Sequence, residues 1–281
     1  MSTLLGVKHH AVSPSEPPLA GAVESVFCLE SYEPEHRTER LVPSGRTHLV
    51  IELDGAPRAV LNPETKAPVR EFRGAWFSGA HSERLSITAT APGFRLAAVQ
   101  FAPGEALAFT HTPIDGLTNR VVHASEVFGD SVTQLRDSLI EETEPEAVVA
   151  AIVGWLSERH EAAHEPPPIV RRALKRLREA PGDVAFTAMV EQDGSVSYKR
   201  FIELFRRHAG LTPKMMQRVL RFVPILERVV AEERVDWASL AAELGYADQS
   251  HLIREFRAFS GYRPGTFVED GYERVNFFPD D

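Results

Sequence analysis

Ten polar or charged side chains fall in two short runs near the C-terminal end: Lys199, Arg200, Glu203 and Arg207 with Tyr198 and Ile202 among them, and Gln249, Ser250, His251, Arg254 and Arg257 in the second. Their chemistry is ionic and hydrogen-bonding. Arginine can pair with guanine, glutamine with adenine and a carboxylate with the amino group of cytosine, provided that the side chains leave the first turns of a helix that fits a groove. A helical surface placed in that way requires partners to hold it, and the flanking sequence supplies them twice.

The run from Met189 reads MVEQDGSVSYKRFIELFRRHAGLTP and that from Leu240 reads LAAELGYADQSHLIREFRAFSGYRP. At an offset of 51 residues, Gly194 pairs with Gly245, Phe201 with Leu252, Phe205 with Phe256, Arg206 with Arg257, Gly210 with Gly261 and Pro213 with Pro264. Each copy has a short helix, a glycine suited to positive φ, and a polar N-cap, Ser197 or Asp248, that opens a second helix. Leu252, Phe256 and Phe259 then face the core while Ser250, His251 and Arg254 face out, and Phe201, Phe205 and Ala209 do the same packing in the first copy. The pattern is a doubled helix-turn-helix, its halves joined by a helix-compatible run over 214–233.

The segment from Trp237 to Phe267 resembles the second helix-turn-helix of the AraC/XylS family of bacterial transcription regulators, through Ala241, Gly245, Tyr246, Asp248, Gln249, Ser250, His251, Phe256, Gly261, Pro264 and Phe267. The first copy departs from the family pattern at Val190 and Glu191, and Ser195 before Val196 reads as one extra residue in its turn. The resemblance implies a DNA-binding domain over residues 168–267, with the side chains named above as its contacts to double-stranded DNA. It further implies a small-molecule effector, a homodimer, and room for RNA polymerase as a partner. The single cysteine, Cys28, leaves no cysteine-cluster zinc site, which excludes the methyl-accepting DNA-repair relatives of the same domain type.

Charge is partitioned as this reading requires. Residues 168–267 hold 17 Lys and Arg against 12 Asp and Glu, residues 1–167 hold 13 against 23, and the last 14 hold 1 against 5. The basic excess coincides with the doubled motif although the whole chain carries −9, as expected for a footprint on nucleic acid. With 281 residues and 43% apolar content the chain can form two domains. No secretory signal or membrane-spanning run is apparent, and one cysteine fits a reducing compartment, so a cytoplasmic location is expected.

Upstream, the period is that of strands: residues 23–29, 48–53, 59–61, 76–77, 85–90 and 94–101, with turns at Asp54-Gly55 and Pro92-Gly93. Helical periods follow over 105–109, 131–141 and 145–160, then Pro166-Pro167-Pro168 breaks the chain before a helix over 169–179. The fold class is α+β: a β-rich sandwich or barrel sensor domain with trailing helices over 1–163, a linker over 164–168, an all-α domain with two helix-turn-helix motifs, and an acidic tail over 268–281. The stripe Val132, Leu135, Leu139 and Val148, Val149, Ile152, Val153, Leu156 serves either a dimer or interdomain contact or as cover for the barrel. The tail is either disordered or packs Phe277 and Phe278 onto the body.

No nucleophile motif, phosphate loop or carboxylate pair suggests an enzyme, and no cofactor is expected. Candidates for lining an effector site are Arg46, Trp76, Phe77, Arg84 and Arg95. His9, His10, His36, His48, His81 and His111 lie in or beside the β region, which keeps a metal-dependent, cupin-like barrel enzyme fused to a DNA-binding module as the alternative. Only His9 and His10 are neighbours, and adjacent residues of a strand face opposite ways, so no metal is expected. A structural DNA-binding protein without a ligand is a third reading, and Cys28 reads as a small buried hydrophobe.

Overall fold

The computed structural model describes residues 8–30, 36–89, 93–182, 184–231, 235–264 and 277–280. Among the described residues, eleven strands form two antiparallel sheets: β1 (Lys8–Val12), β2 (Val23–Glu30), β3 (Thr38–Leu41), β4 (Thr47–Glu52), β5 (Arg58–Leu61), β6 (Pro68–Phe72), β7 (Ala75–Ser78), β8 (Leu85–Thr88), β9 (Arg95–Phe101), β10 (Val121–His123) and β11 (Phe277–Pro279). One sheet runs β1-β2-β9-β4-β7-β10 and the other β11-β3-β8-β5-β6. The expected sandwich of short strands is present, and so are five strands that the pattern did not foretell: β1, β3, β6, β10 and β11. Most of these are sheet-edge or charged segments with little apolar alternation, and their backbones are held by cross-strand pairing.

Alternation gives the first sheet two uses. Leu49 and Ile51 of β4, with Ala97, Val99 and Phe101 of β9, are buried under the helices, whereas His48 and Val50, with Leu96, Ala98 and Gln100, face the space between the sheets. The helical cover comes from α1 (Leu107–Thr110), α2 (Ser125–Phe128), α3 (Asp130–Ile140) and α4 (Pro145–Arg159). Val132, Leu135 and Leu139 of α3 and Val148, Val149, Ile152 and Leu156 of α4 join the buried cluster on the first sheet, so the apolar stripe covers the barrel and is spent within the chain. Cys28 is fully buried in the same cluster, and burial pushes its thiol up to about 11.

The second cluster belongs to α5 (Pro168–Glu179), α6 (Phe186–Asp193), α7 (Tyr198–Ala209), α8 (Pro213–Ala231), α9 (Trp237–Glu243) and α10 (Gln249–Ser260). Phe222 of α8 packs on Phe256 and Phe259 at ring separations of 5.7 and 5.1 Å, which locks α10 to the connecting helix. Gly194 to Tyr198 spans what Gly245 to Gln249 spans, so the extra residue expected in the first turn is absent. Helix α8 continues through Pro224. The expected helix end at Glu233, the strand end at Thr90, the domain end at Phe267 and most of the acidic tail lie outside the described residues. The tail's last described stretch is β11, paired with β3, and Asp280 beyond it binds Arg40, Lys66 and Ser86 while itself almost fully buried.

Candidate nucleic-acid interface

Both second helices of the doubled motif are opened by a side-chain cap. Ser197 Oγ accepts from the Arg200 amide at 3.2 Å, and Asp248 Oδ1 accepts from the His251 amide at 2.6 Å. Each cap satisfies one of the free donors of a first helical turn and sets the angle at which that turn enters solvent. A glycine in the left-handed conformation closes each helix, Gly210 at φ 76° and Gly261 at φ 80°, where a side chain would be strained.

On α7 the structure leaves Tyr198, Lys199, Arg200, Glu203, Arg206 and Arg207 exposed and Ile202 half-buried, while Phe201, Phe205 and His208 face the core. Arg200 donates to Glu203 at 3.1 Å, so the carboxylate that would repel phosphate is partly neutralised by its own helix. Burial first, then the nearby charges of Arg207 and His164, hold the His208 pKa near 4, and the inner face of α7 is uncharged at neutral pH. On α10, Gln249, Ser250, Arg254 and Arg257 are exposed. His251 is half-buried, its ring edge-on to Tyr246 at 5.2 Å. The two clusters predicted from sequence thus form two separate, similarly capped surfaces; Arg206 belongs with the first as well.

A buried ion cluster that sequence reasoning missed positions the second surface. Glu255, on the inner side of α10 with its side chain 3% exposed, accepts from Arg218 at 2.6 Å and from Arg221 at 2.9 Å, both on α8. Arg221 also donates to the Gly245 carbonyl at 3.2 Å and stacks over the Tyr246 ring at 4.0 Å, so the turn between α9 and α10 is fastened to the same point. Burial alone would raise the Glu255 pKa; the bonds from Arg218 and the charge of Arg221 outweigh it and hold the carboxyl below the usual range. A signal existed: Glu255 stands between Leu252, Phe256 and Phe259 on a face that is otherwise apolar.

The β domain grips both helices at equivalent ends. Thr118 Oγ1 donates to the Gly210 carbonyl after α7, and Arg40 of β3 donates to the Ser260 carbonyl at 3.1 Å and lies 4.4 Å over the Tyr262 ring. The approach is close enough that a Cβ on Gly210 would stand 3.0 Å from Ala80 and Ile114, and one on Gly104 would meet Leu174 of α5 at 2.3 Å.

Between the sheets lies a cavity of 170 Å³ with walls that include Phe27, Leu29, Val50, Phe72, Trp76 and Phe94. Its polar floor is a row in register across three strands, Gln100 of β9, His48 of β4 and Ser78 of β7. Burial, then the charge of Arg46, lowers the His48 pKa to about 4, so the ring is neutral at pH 7. Of the five residues proposed for an effector site only Trp76 lines this cavity. Phe77 points to the helical side, Arg95 binds Glu30 at 2.8 Å, Arg84 packs beside Gly261, and Arg46, paired with Glu24, lines a 630 Å³ cleft between the β domain and α5, α8 and α9.

The matches to protein families divide along the same line. Residues 191–270 match a helix-turn-helix domain and residues 10–123 match a domain of unknown function (DUF6597). The C-terminal region therefore carries a helix-turn-helix domain, in the place where the doubled motif was read. Among solved structures, ToxT from Vibrio cholerae is 9% identical, with 87% of this chain and 98% of that chain covered and a TM-score of 0.45. The C-terminal domain of AraT, a response regulator from Geobacillus stearothermophilus, is 18% identical over 37% of this chain and 87% of that one, at a TM-score of 0.34. Oxalate decarboxylase of Bacillus subtilis is 17% identical over 49% of this chain and 36% of that one, at 0.22. No curated protein matches. Among the described residues, no helix is long and apolar enough to cross a membrane.

Proposed function

We propose that this protein is a cytoplasmic transcription regulator of the AraC/XylS type that reads two adjacent segments of duplex DNA with α7 and α10, and that a compact, largely apolar and uncharged effector in the cavity between the sheets adjusts their mutual angle. The observation that carries this reading is the alternation along β3. Glu39 and Leu41 line the cavity while Arg40, between them, points away to hold the end of α10. Ser78 of the cavity floor bonds His81 at 2.9 Å, and Ala80 between them touches the end of α7. A ligand that moves β3 or the end of β7 therefore shifts the anchors of both helices, and it changes DNA affinity only as far as it binds the two arrangements unequally.

Lys199, Arg200, Ile202, Glu203 and Arg207 with Tyr198 would contact one groove segment, and Gln249, Ser250, His251, Arg254 and Arg257 the next. We take the protein to act without an enzymatic reaction of its own. Contact with RNA polymerase and pairing into a homodimer remain part of the reading, the latter on surfaces other than the buried stripes of α3 and α4.

The test is selection of bound sequences from a random duplex pool by the full chain, followed by single-base footprinting. Two helices joined by the continuous α8 should enter successive major grooves about 34 Å apart on one face, and log affinity should fall linearly with log salt. Protection of a single groove per chain, or affinity indifferent to a half-turn insertion between the two segments, would refute the two-groove reading. For the effector, a thermal-shift screen of small uncharged compounds should yield hits that the cavity-filling Ala98→Phe abolishes.

A further inference from the structure

The segment that carries the chain from α4 to α5 brings two histidines and a glutamate to one point. His111 follows α1 at φ 54°, and Glu161 and His164 belong to the turn before Pro166. Glu161 Oε1 lies 3.4 Å from His111 Nε2, its Oε2 lies 3.2 Å from His164 Nδ1, and one donor atom from each residue lies within 4.8 Å of both others. Donor atoms that are each 2.0–2.1 Å from a tetrahedral centre stand about 3.3 Å apart. The two short approaches are made by different oxygens of Glu161, and one oxygen with the two ring nitrogens spans up to 4.8 Å, so the three side chains must close in slightly around an ion. Two imidazoles and a carboxylate form the nitrogen and oxygen set that zinc and its divalent neighbours accept, with a fourth position left to water. His111 and His164 are half-buried and Glu161 exposed, so an ion reaches the site without any opening of the fold.

We propose that His111, Glu161 and His164 bind a divalent transition-metal ion, zinc before others, and that the ion clamps the interdomain linker to the β domain. The backbone is prepared for this: the Glu161 amide donates to the Ala108 carbonyl at 2.9 Å, and Arg159 Nε donates to the Phe109 carbonyl at 2.8 Å. His111 Nε2 would exchange its 3.3 Å contact with the Arg159 carbonyl for the ion. The three prolines that follow allow little slack, so fixing His164 fixes where α5 begins. The site leaves no local mark in the sequence, because His111 meets partners 50 and 53 positions onward rather than on a neighbouring strand.

The full chain, stripped with a chelator and dialysed against buffered zinc chloride, should retain one more ion per molecule than either His111→Asn or His164→Ala, with circular dichroism confirming that the variants are folded. Asparagine tolerates the left-handed backbone at position 111. Cobalt(II) in place of zinc should give the visible absorption of a four-coordinate ion, lost in both variants, and zinc should slow proteolysis within 160–168 in the wild type alone. Equal zinc content in wild type and both variants, or none retained by the wild type at micromolar free zinc, would overturn the proposal. None of these readouts involves DNA or the effector cavity, so the result stands apart from the function proposed above.

Discussion

The hydroxyl of Thr118 donates to the carbonyl of Gly210, which ties the last residue capping α7 to a loop of the β domain. Gly210 sits there because φ is 76° and because Ala80 and Ile114, 3.0 Å from where a Cβ would stand, would have to shift to admit one. Gly210→Ala should cost about 1–3 kcal/mol, from the left-handed backbone and the crowded contact together. Urea unfolding measures it; a variant as stable as wild type would mean that the interdomain packing yields freely.

Arg254 is exposed on the outer face of α10 with no ion pair to restrain it among the described residues. Arg254→Ala should relax preference at one or two base pairs in one half of the site, at about 1–3 kcal/mol if the contact is bidentate. Lys199→Ala should act in the other half. Uniform weakening on all sequences would reassign Arg254 to phosphate.

Glu255 is the buried carboxylate on which Arg218 and Arg221 converge. Glu255→Gln keeps the shape but leaves two guanidinium groups short of their counter-charge, and removal of one partner from a buried pair costs about 3–5 kcal/mol. Arg218 is more exposed than Arg221, so solvent should place the loss at the lower end. Denaturation of the full chain and sequence preference in the second half of the site should suffer together, because the same cluster holds the turn at Gly245.

Stability should fall on acidification below pH 6.5, above the range in which ordinary exposed carboxylates titrate. His48 and His81 are held near 4 by burial against 6.5 when unfolded, so between those values the unfolded chain binds two protons that the native chain does not. Glu105 works the other way, since burial raises it to about 7 from 4.5 and the native chain is the better proton binder in that range. His208, lowered to about 4 chiefly by burial, adds a third proton to those of His48 and His81. Three taken up against one released leave a net uptake of two protons on unfolding, a loss of about 3 kcal/mol per pH unit from 6.5 toward 4.5. Below 4.5, protonation of Glu255 removes a further contribution, because its depressed pKa stabilises the native state only while it is ionised. Urea midpoints at pH 7, 6 and 5 would expose a flat profile as a contradiction.

What the linear sequence determined by itself was local. Helix periods, the Ser197 and Asp248 caps and the paired glycines depend on residues within one or two turns of each other, and a repeat at an offset of 51 made that grammar legible twice. The strands with strong apolar alternation were legible for the same reason. Tertiary structure alone decided the rest, where the partners are distant in sequence. β11 exists as an edge strand on β3 because backbone groups from distant parts of the chain satisfy each other, and the apolar stripes of α3 and α4 found the sheet within their own chain. Arg40 serves α10 and Arg95 serves Glu30, although both look like free cations in a row of letters. Which face of β4 meets the helices and which the cavity depends on the layer packed against each side, and a period of two cannot say which side that is.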